Sequence, residues 1–109
     1  MDGVRKMREV YAELAAEFSQ ESDVVVNTGT GAQGMKFGGR MFVMFFKGDI
    51  LAALPPKRVS ELIGEGRGLP HDPGTGKVMP DRILVPAERS DEWIGICRES
   101  LEYFRGERK

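Results

Sequence analysis

A single cysteine, Cys97, excludes an intramolecular disulfide and any zinc site built from several cysteines. A single histidine, His71, and scattered carboxylates show no metal-ligand spacing, and no cofactor is implied. Long apolar runs are missing too. The longest, Met41 to Phe46, falls far short of the about 20 residues that cross a bilayer, so no membrane role is expected. No apolar stretch follows Met1-Asp2-Gly3-Val4-Arg5-Lys6, so no signal peptide is read and the expected location is the cytoplasm. Neither sign of charge dominates. Sixteen Lys and Arg face 17 Asp and Glu, which excludes a globally basic nucleic-acid binder but leaves room for a local basic patch.

What is present is enough for one core. Forty per cent of the 109 residues are hydrophobic, and no repeat or linker divides the chain, so residues 1–109 read as one domain. Val4, Met7, Val10/Tyr11, Leu14 and Phe18 recur every three or four residues, predicting an amphipathic helix near residues 3 to 20. Glu9, Glu13, Glu17 and Glu21 recur every four residues along it and read as its solvated face. Residues 23–27 form a β-branched run and predict a strand. Two β-prone stretches follow, Met35 to Phe37 and Arg40 to Phe46. Gly38-Gly39 lies between them and allows a bend or bulge. Lys47-Gly48-Asp49 is a turn signal before a strand over 50–54, so 40–54 reads as a hairpin. The unbroken apolar run of Met41 to Phe46 predicts a central strand covered on both faces or nearly so.

Pro55-Pro56 ends that strand and opens a short helix carrying Val59, Leu62 and Ile63, closed by Gly64 and Gly66. Residues 66–80 are rich in Gly and Pro and read as a long loop. Arg82 to Val85 is a last strand. Ser90 is the expected N-cap of a final helix with Trp93/Ile94, Cys97, Leu101 and Phe104 on its apolar face and Arg105, Arg108 and Lys109 at its end. The expected class is α+β, in the order α-β-β-β-α-β-α, with helices flanking a mainly antiparallel curved sheet.

Few residues combine into chemistry. Gly29-Thr30-Gly31-Ala32-Gln33-Gly34 matches the dinucleotide-loop pattern, but that motif must open a helix, and β-prone residues follow here. Gly74-Thr75-Gly76-Lys77 resembles the end of a phosphate loop, yet His71 and Val78 stand where a Gly and a Ser or Thr are required. His71 beside Asp72 would make a polar anchor for a ligand in the 66–80 loop. Its candidate nucleophile partners, Cys97 and Ser60, are distant in sequence. Arg40, Lys57, Arg58, Arg67, Lys77 and Arg82 lie at strand ends, a helix start and loops, where convergence would create a phosphate-binding patch.

The chain from Met35 onward resembles the TfoX N-terminal-like (TfoX/Sxy) family. The resemblance is carried by Met35-Lys36-Phe37-Gly38-Gly39, Met41-Phe42-Val43-Met44, Asp49 to Pro55, Val59-Ser60-Glu61-Leu62-Ile63, Gly66-Arg67-Gly68, His71 to Met79, Ile83-Leu84-Val85-Pro86 and Trp93. It implies a small domain similar to YjbR-like and secretion-chaperone-like folds. It implies no enzyme and brings no catalytic or ligand residues. Under it, Gly38, Gly39, Gly74 and Gly76 look structural, at positions of unusual φ. Full-length relatives regulate DNA-uptake genes. The leading expectation is therefore a non-enzymatic, regulatory interaction domain contacting an unknown protein partner or a second copy of itself through an exposed sheet edge or the 66–80 loop, with the Arg40–Phe46 strand offering apolar area if it keeps an open edge or face. The alternatives are a DNA-binding accessory protein and a small-molecule binder using the 66–80 loop.

Overall fold

The computed structural model describes residues 2–27 and 33–107. Most of the dinucleotide-loop pattern, at 28–32, and the terminal Arg108 and Lys109 lie outside the described residues. The elements are α1 (Asp2–Phe18), β1 (Val24–Asn27), β2 (Gly34–Phe37), β3 (Arg40–Phe46), β4 (Asp49–Ala53), α2 (Pro56–Gly64), β5 (Leu69–Pro70), β6 (Arg82–Val85), a 3₁₀ turn over Ala87–Glu92, and α3 (Trp93–Glu107). The strands form one antiparallel sheet in the order β1-β2-β3-β4-β6-β5, so the class is α+β as expected.

The expected element order needs two corrections. Gly38-Gly39 is a full reversal rather than a bend. Phe37 pairs directly with Arg40, and the two glycines between them sit at φ 60° and 83°, the left-handed pair that a two-residue hairpin turn requires. This divides the expected bent strand into β2 and β3. Lys47-Gly48 makes the next reversal in the same way, at φ 52° and 91°. The second correction is β5, two residues of the expected loop that pair with Leu84 and Ile83. Nothing local marks Leu69-Pro70 as a strand. The neighbouring β6 recruits it.

The bulge lies elsewhere, between Met35↔Val43 and Lys36↔Met41. Phe42 is the extra residue on β3, which turns Phe42 and Val43 to the same side of the sheet, both fully buried. Ser90 does not cap the last helix. It lies inside the 3₁₀ turn, whose first amide, on Ala87, donates to Asp49 Oδ1 at 2.9 Å. The α-helix begins only at Trp93, whose buried indole N–H donates to the Val85 carbonyl at 3.2 Å. That bond joins the start of α3 to the end of β6.

One face of the sheet carries the core. Val24, Met35, Phe37, Phe42, Val43, Ile50, Ala52, Ile83 and Val85 meet Tyr11, Leu14 and Phe18 of α1, Val59 and Leu62 of α2, and Trp93, Cys97, Leu101 and Phe104 of α3. Phe45 stacks between Tyr11 and Trp93, with ring centroids 5.3 and 6.4 Å away. Each large side chain buried this way contributes roughly 1.5–3 kcal/mol. No helix among the described residues is long and apolar enough to cross a membrane.

Candidate interaction surface

Side chains alternate across a strand, and residues directly opposite share a face. The register therefore places Met44, Leu51, Leu84 and Leu69 in one row across β3, β4, β6 and β5, on the face opposite the core. Met41 and Phe46 flank this row on β3, and beyond Met41 the exposed Lys36 of β2 interrupts the apolar surface before Val25 of β1. None of these seven apolar residues belongs to the core cluster. Leu51, at the centre, is 9% exposed. Val25 and Leu69, at the margins, are 66% and 52% exposed. Met41, Met44, Phe46 and Leu84 are half-buried.

The expectation that both faces of the 41–46 strand are covered is thus half met. β3 is central, between β2 and β4, but the helices cover one face only. A continuous apolar run cannot separate these cases, because it is apolar on both sides either way. Two backbone features shape the open face. Gly34 lies beneath Met41, and a Cβ there would stand 2.6 Å from the Val43 carbonyl and 2.9 Å from the Met41 sulfur. A shallow cavity of about 120 Å³ opens between Met41, Met44, Leu51 and Arg82.

The 71–79 segment closes one end of this face. Met79 N–H donates to the His71 carbonyl at 2.8 Å, drawing the loop shut, and the His71 ring meets Phe46 edge-on at 5.9 Å. Asp72 turns inward on its own loop. Its Oδ1 accepts the amides of Gly74, Thr75 and Gly76 at 2.8, 3.0 and 3.3 Å. Gly74 and Gly76 hold φ 107° and 84°, which aims those amides at one point. The nest that a phosphate would need is filled by the chain's own carboxylate.

Of the expected His71–Asp72 anchor, Asp72 is committed to its own loop, while the His71 ring packs against Phe46. Cys97 is wholly buried among core side chains on the other side of the sheet, and burial pushes its thiol well above the usual range. Ser60 lies exposed on α2. These groups do not assemble. The dinucleotide pattern also fails at its last residue, since Gly34 opens β2 and no helix follows.

Four of the six basic residues take separate partners. Arg58 grips Glu99 of α3 through two bonds of 2.8 and 3.1 Å and reaches Glu61 at 3.4 Å. Arg67 binds Glu92 at 2.8 Å and Glu65 at 3.1 Å. Arg82 pairs with Asp81 at 3.0 Å, and the Arg40 guanidinium lies 4.8 Å from the Phe104 ring centre. Lys57 and Lys77 are exposed. Surface pairs like these add little stability. They do occupy the donors that a phosphate backbone would use.

Two further clefts, of about 620 and 600 Å³, open beside the 3₁₀ turn and between α2 and α3. The first is acidic, but its Glu92 is held by Arg67 and Arg89, which keep that carboxyl below its usual range. The second contains the Arg58–Glu99 pair. No cluster of three metal-ligating side chains occurs among the described residues.

Sequence reasoning offered the Arg40–Phe46 strand as apolar area for a partner if an edge or face stayed open, and it missed the pairings of Glu92, Glu99 and Arg105. The face had a partial signal in the Met41–Phe46 run. The pairings with Arg67, Arg58 and Glu21 had none, because those partners lie 25 to 84 residues apart in the chain. Comparison with protein-family models, curated proteins and solved structures gives no match.

Proposed function

We propose that this protein is a non-catalytic, regulatory interaction domain that receives an apolar segment of a partner protein on the helix-free face of its sheet. The observation that carries this reading is the row Met44–Leu51–Leu84–Leu69, extended by Met41 and Phe46. A contiguous apolar surface on a folded protein costs solubility unless it is used, and such patches mark interaction sites. Methionine suits this task because its unbranched thioether repacks against differently shaped partners. Membership of the TfoX N-terminal-like family and a cytoplasmic location belong to the same proposal. The family reading rests on the order and spacing of the residues quoted above.

The DNA-accessory reading draws less support. Arg58, Arg67 and Arg82 already hold carboxylates and Arg40 lies on the Phe104 ring, which leaves Lys57 and Lys77 as a thin footprint for a phosphate backbone. The ligand-loop reading loses Asp72 to its own loop.

Site-specific photocrosslinking in cells tests the proposal. A photoreactive residue at Met44 or Leu84 is expected to trap one discrete partner, and the same group at the exposed Glu13 of α1 is not. Leu84→Lys should abolish the adduct formed from Met44 while leaving the melting temperature near that of the parent. Equal labelling from Glu13, or an adduct that survives Leu84→Lys, overturns it.

A further inference from the structure

The two edges of the sheet are built differently. At one edge stands β5, two residues long, and its Pro70 has no amide to offer. Short length and proline are the usual devices that keep a sheet edge from pairing. At the other edge stands β1, with three consecutive valines and no proline, glycine or charge. Val25 is 66% exposed there.

The backbone of β1 is also oriented for pairing. In a two-residue hairpin the closing residues exchange their hydrogen bonds, so Phe37 directs its amide and carbonyl to Arg40, away from β1. Val24, opposite Phe37, is consequently turned outward, and its N–H donates to the Glu21 carbonyl at 3.1 Å. Hydrogen-bonded and non-bonded pairs alternate along an antiparallel ladder. Val26, two residues on, therefore presents both its N–H and its C=O to the outer edge. Charge does not guard this edge. The flanking acids Glu21 and Asp23 are drawn back to Arg105 of α3 at 2.8 and 2.9 Å.

We propose that β1 pairs antiparallel with β1 of a second copy of this chain across a twofold axis, joining two sheets into one. A second copy is the favoured occupant for three reasons. The added strand must be apolar on the core side, because Val24 and Val26 border the core, and β1 itself meets that demand. A strand paired with itself across a twofold axis is self-complementary. The net charge of −1 gives two copies little cause to repel. Assembly also stops at two, since both outer edges then end in Leu69-Pro70. The pairing would set two helix-free faces side by side, but it does not depend on those faces having a partner.

Analytical ultracentrifugation of the full chain tests this, over about 10 μM to about 1 mM, the range in which a small interface associates. A monomer–dimer equilibrium is expected. Val26→Pro removes the outward amide without taking a hydrogen bond from the β1–β2 ladder and should shift the chain to monomer, with its circular dichroism spectrum unchanged. Val25→Lys, at an exposed position, should do the same where the proline disturbs folding. Leu84→Lys, on the open face, should leave the dimer intact. A monomer throughout the range, or a dimer indifferent to both β1 variants, overturns the proposal. So do species that grow beyond two copies. A dimer lost with Leu84→Lys and kept with Val26→Pro overturns the edge assignment and places self-association on the face.

Discussion

Ser100 is the one buried polar side chain among the described residues, and its reason lies in the β3 bulge. The bulge leaves the Phe42 carbonyl out of the regular ladder, and the ladder of β3 with β4 ends one residue short of Ala53. Ser100 on α3 lies with its hydroxyl 2.6 Å from the Ala53 carbonyl and 3.1 Å from that of Phe42. One O–H thereby serves two buried acceptors and pins α3 to the sheet. Ser100→Ala removes a single oxygen but strands both carbonyls without this donor. The expected loss is about 1–3 kcal/mol of stability, read as a lower urea midpoint at unchanged slope. A change below about 0.5 kcal/mol, the usual size for a surface substitution, would show that the carbonyls find other partners. Cys97, one turn earlier on the same helix, is small and sealed, and it contributes packing alone.

At the scale of elements, the sheet is organised by where its backbone lacks a side chain. Gly38-Gly39 reverses the chain, and Gly34 allows β3 to lie close against β2. A Cβ at Gly34 would meet a backbone carbonyl, that of Val43, which cannot rotate away as a side chain would. Gly34→Ala is therefore expected to force β2 from β3 and cost about 1–3 kcal/mol. Gly39→Ala meets no neighbouring atom and carries only the strain of its φ of 83°, so it should cost about 1–2 kcal/mol. Thermal melts of the two variants compare these costs. Loss of the β3-side amide protection on β2 in Gly34→Ala alone would mark the steric effect.

At the scale of the whole molecule, ion pairs tie the helices to the segments around them. Arg105 is the largest knot, binding Asp23 through two contacts of 2.9 and 3.0 Å, Glu21 at 2.8 Å and Glu102 at 2.7 Å. Hydrogen bonds from Arg105 hold the Asp23 carboxyl below the usual range, and Arg67, then Arg89, do the same for Glu92. A carboxyl lowered in the folded state binds fewer protons there than in the unfolded chain. Its stabilisation is present above the unfolded value of about 4 and is lost as pH falls through the folded value. The melting temperature should accordingly decline below about pH 4. Arg105→Met should flatten that decline, and added salt should weaken it, because these groups face solvent. An identical acid limb in Arg105→Met would show that Asp23 contributes none of it.

The sequence by itself determined the elements whose signal is local. Apolar spacing in α1, the Pro-Pro start of α2, the turn glycines and the β-branched runs each act over a few residues, so α+β was legible, as was the buried role of Cys97. The split at Gly38-Gly39 was legible in composition but misread in geometry, because paired glycines permit both a bend and a reversal. Tertiary structure alone decided the rest. Strand β5 exists because β6 offers it partners. The bulge sits at Phe42 because the register of β2 against β3 places it there. His71 and Asp72 are neighbours in sequence, yet the loop turns one toward Phe46 and the other onto its own amides. Arg58 and Arg67, which composition leaves free for phosphates, are in three dimensions held by Glu99 of α3 and Glu92 of the 3₁₀ turn. Which side of an all-apolar strand stays open depends on where the helices pack, and that is a property of the assembled sheet.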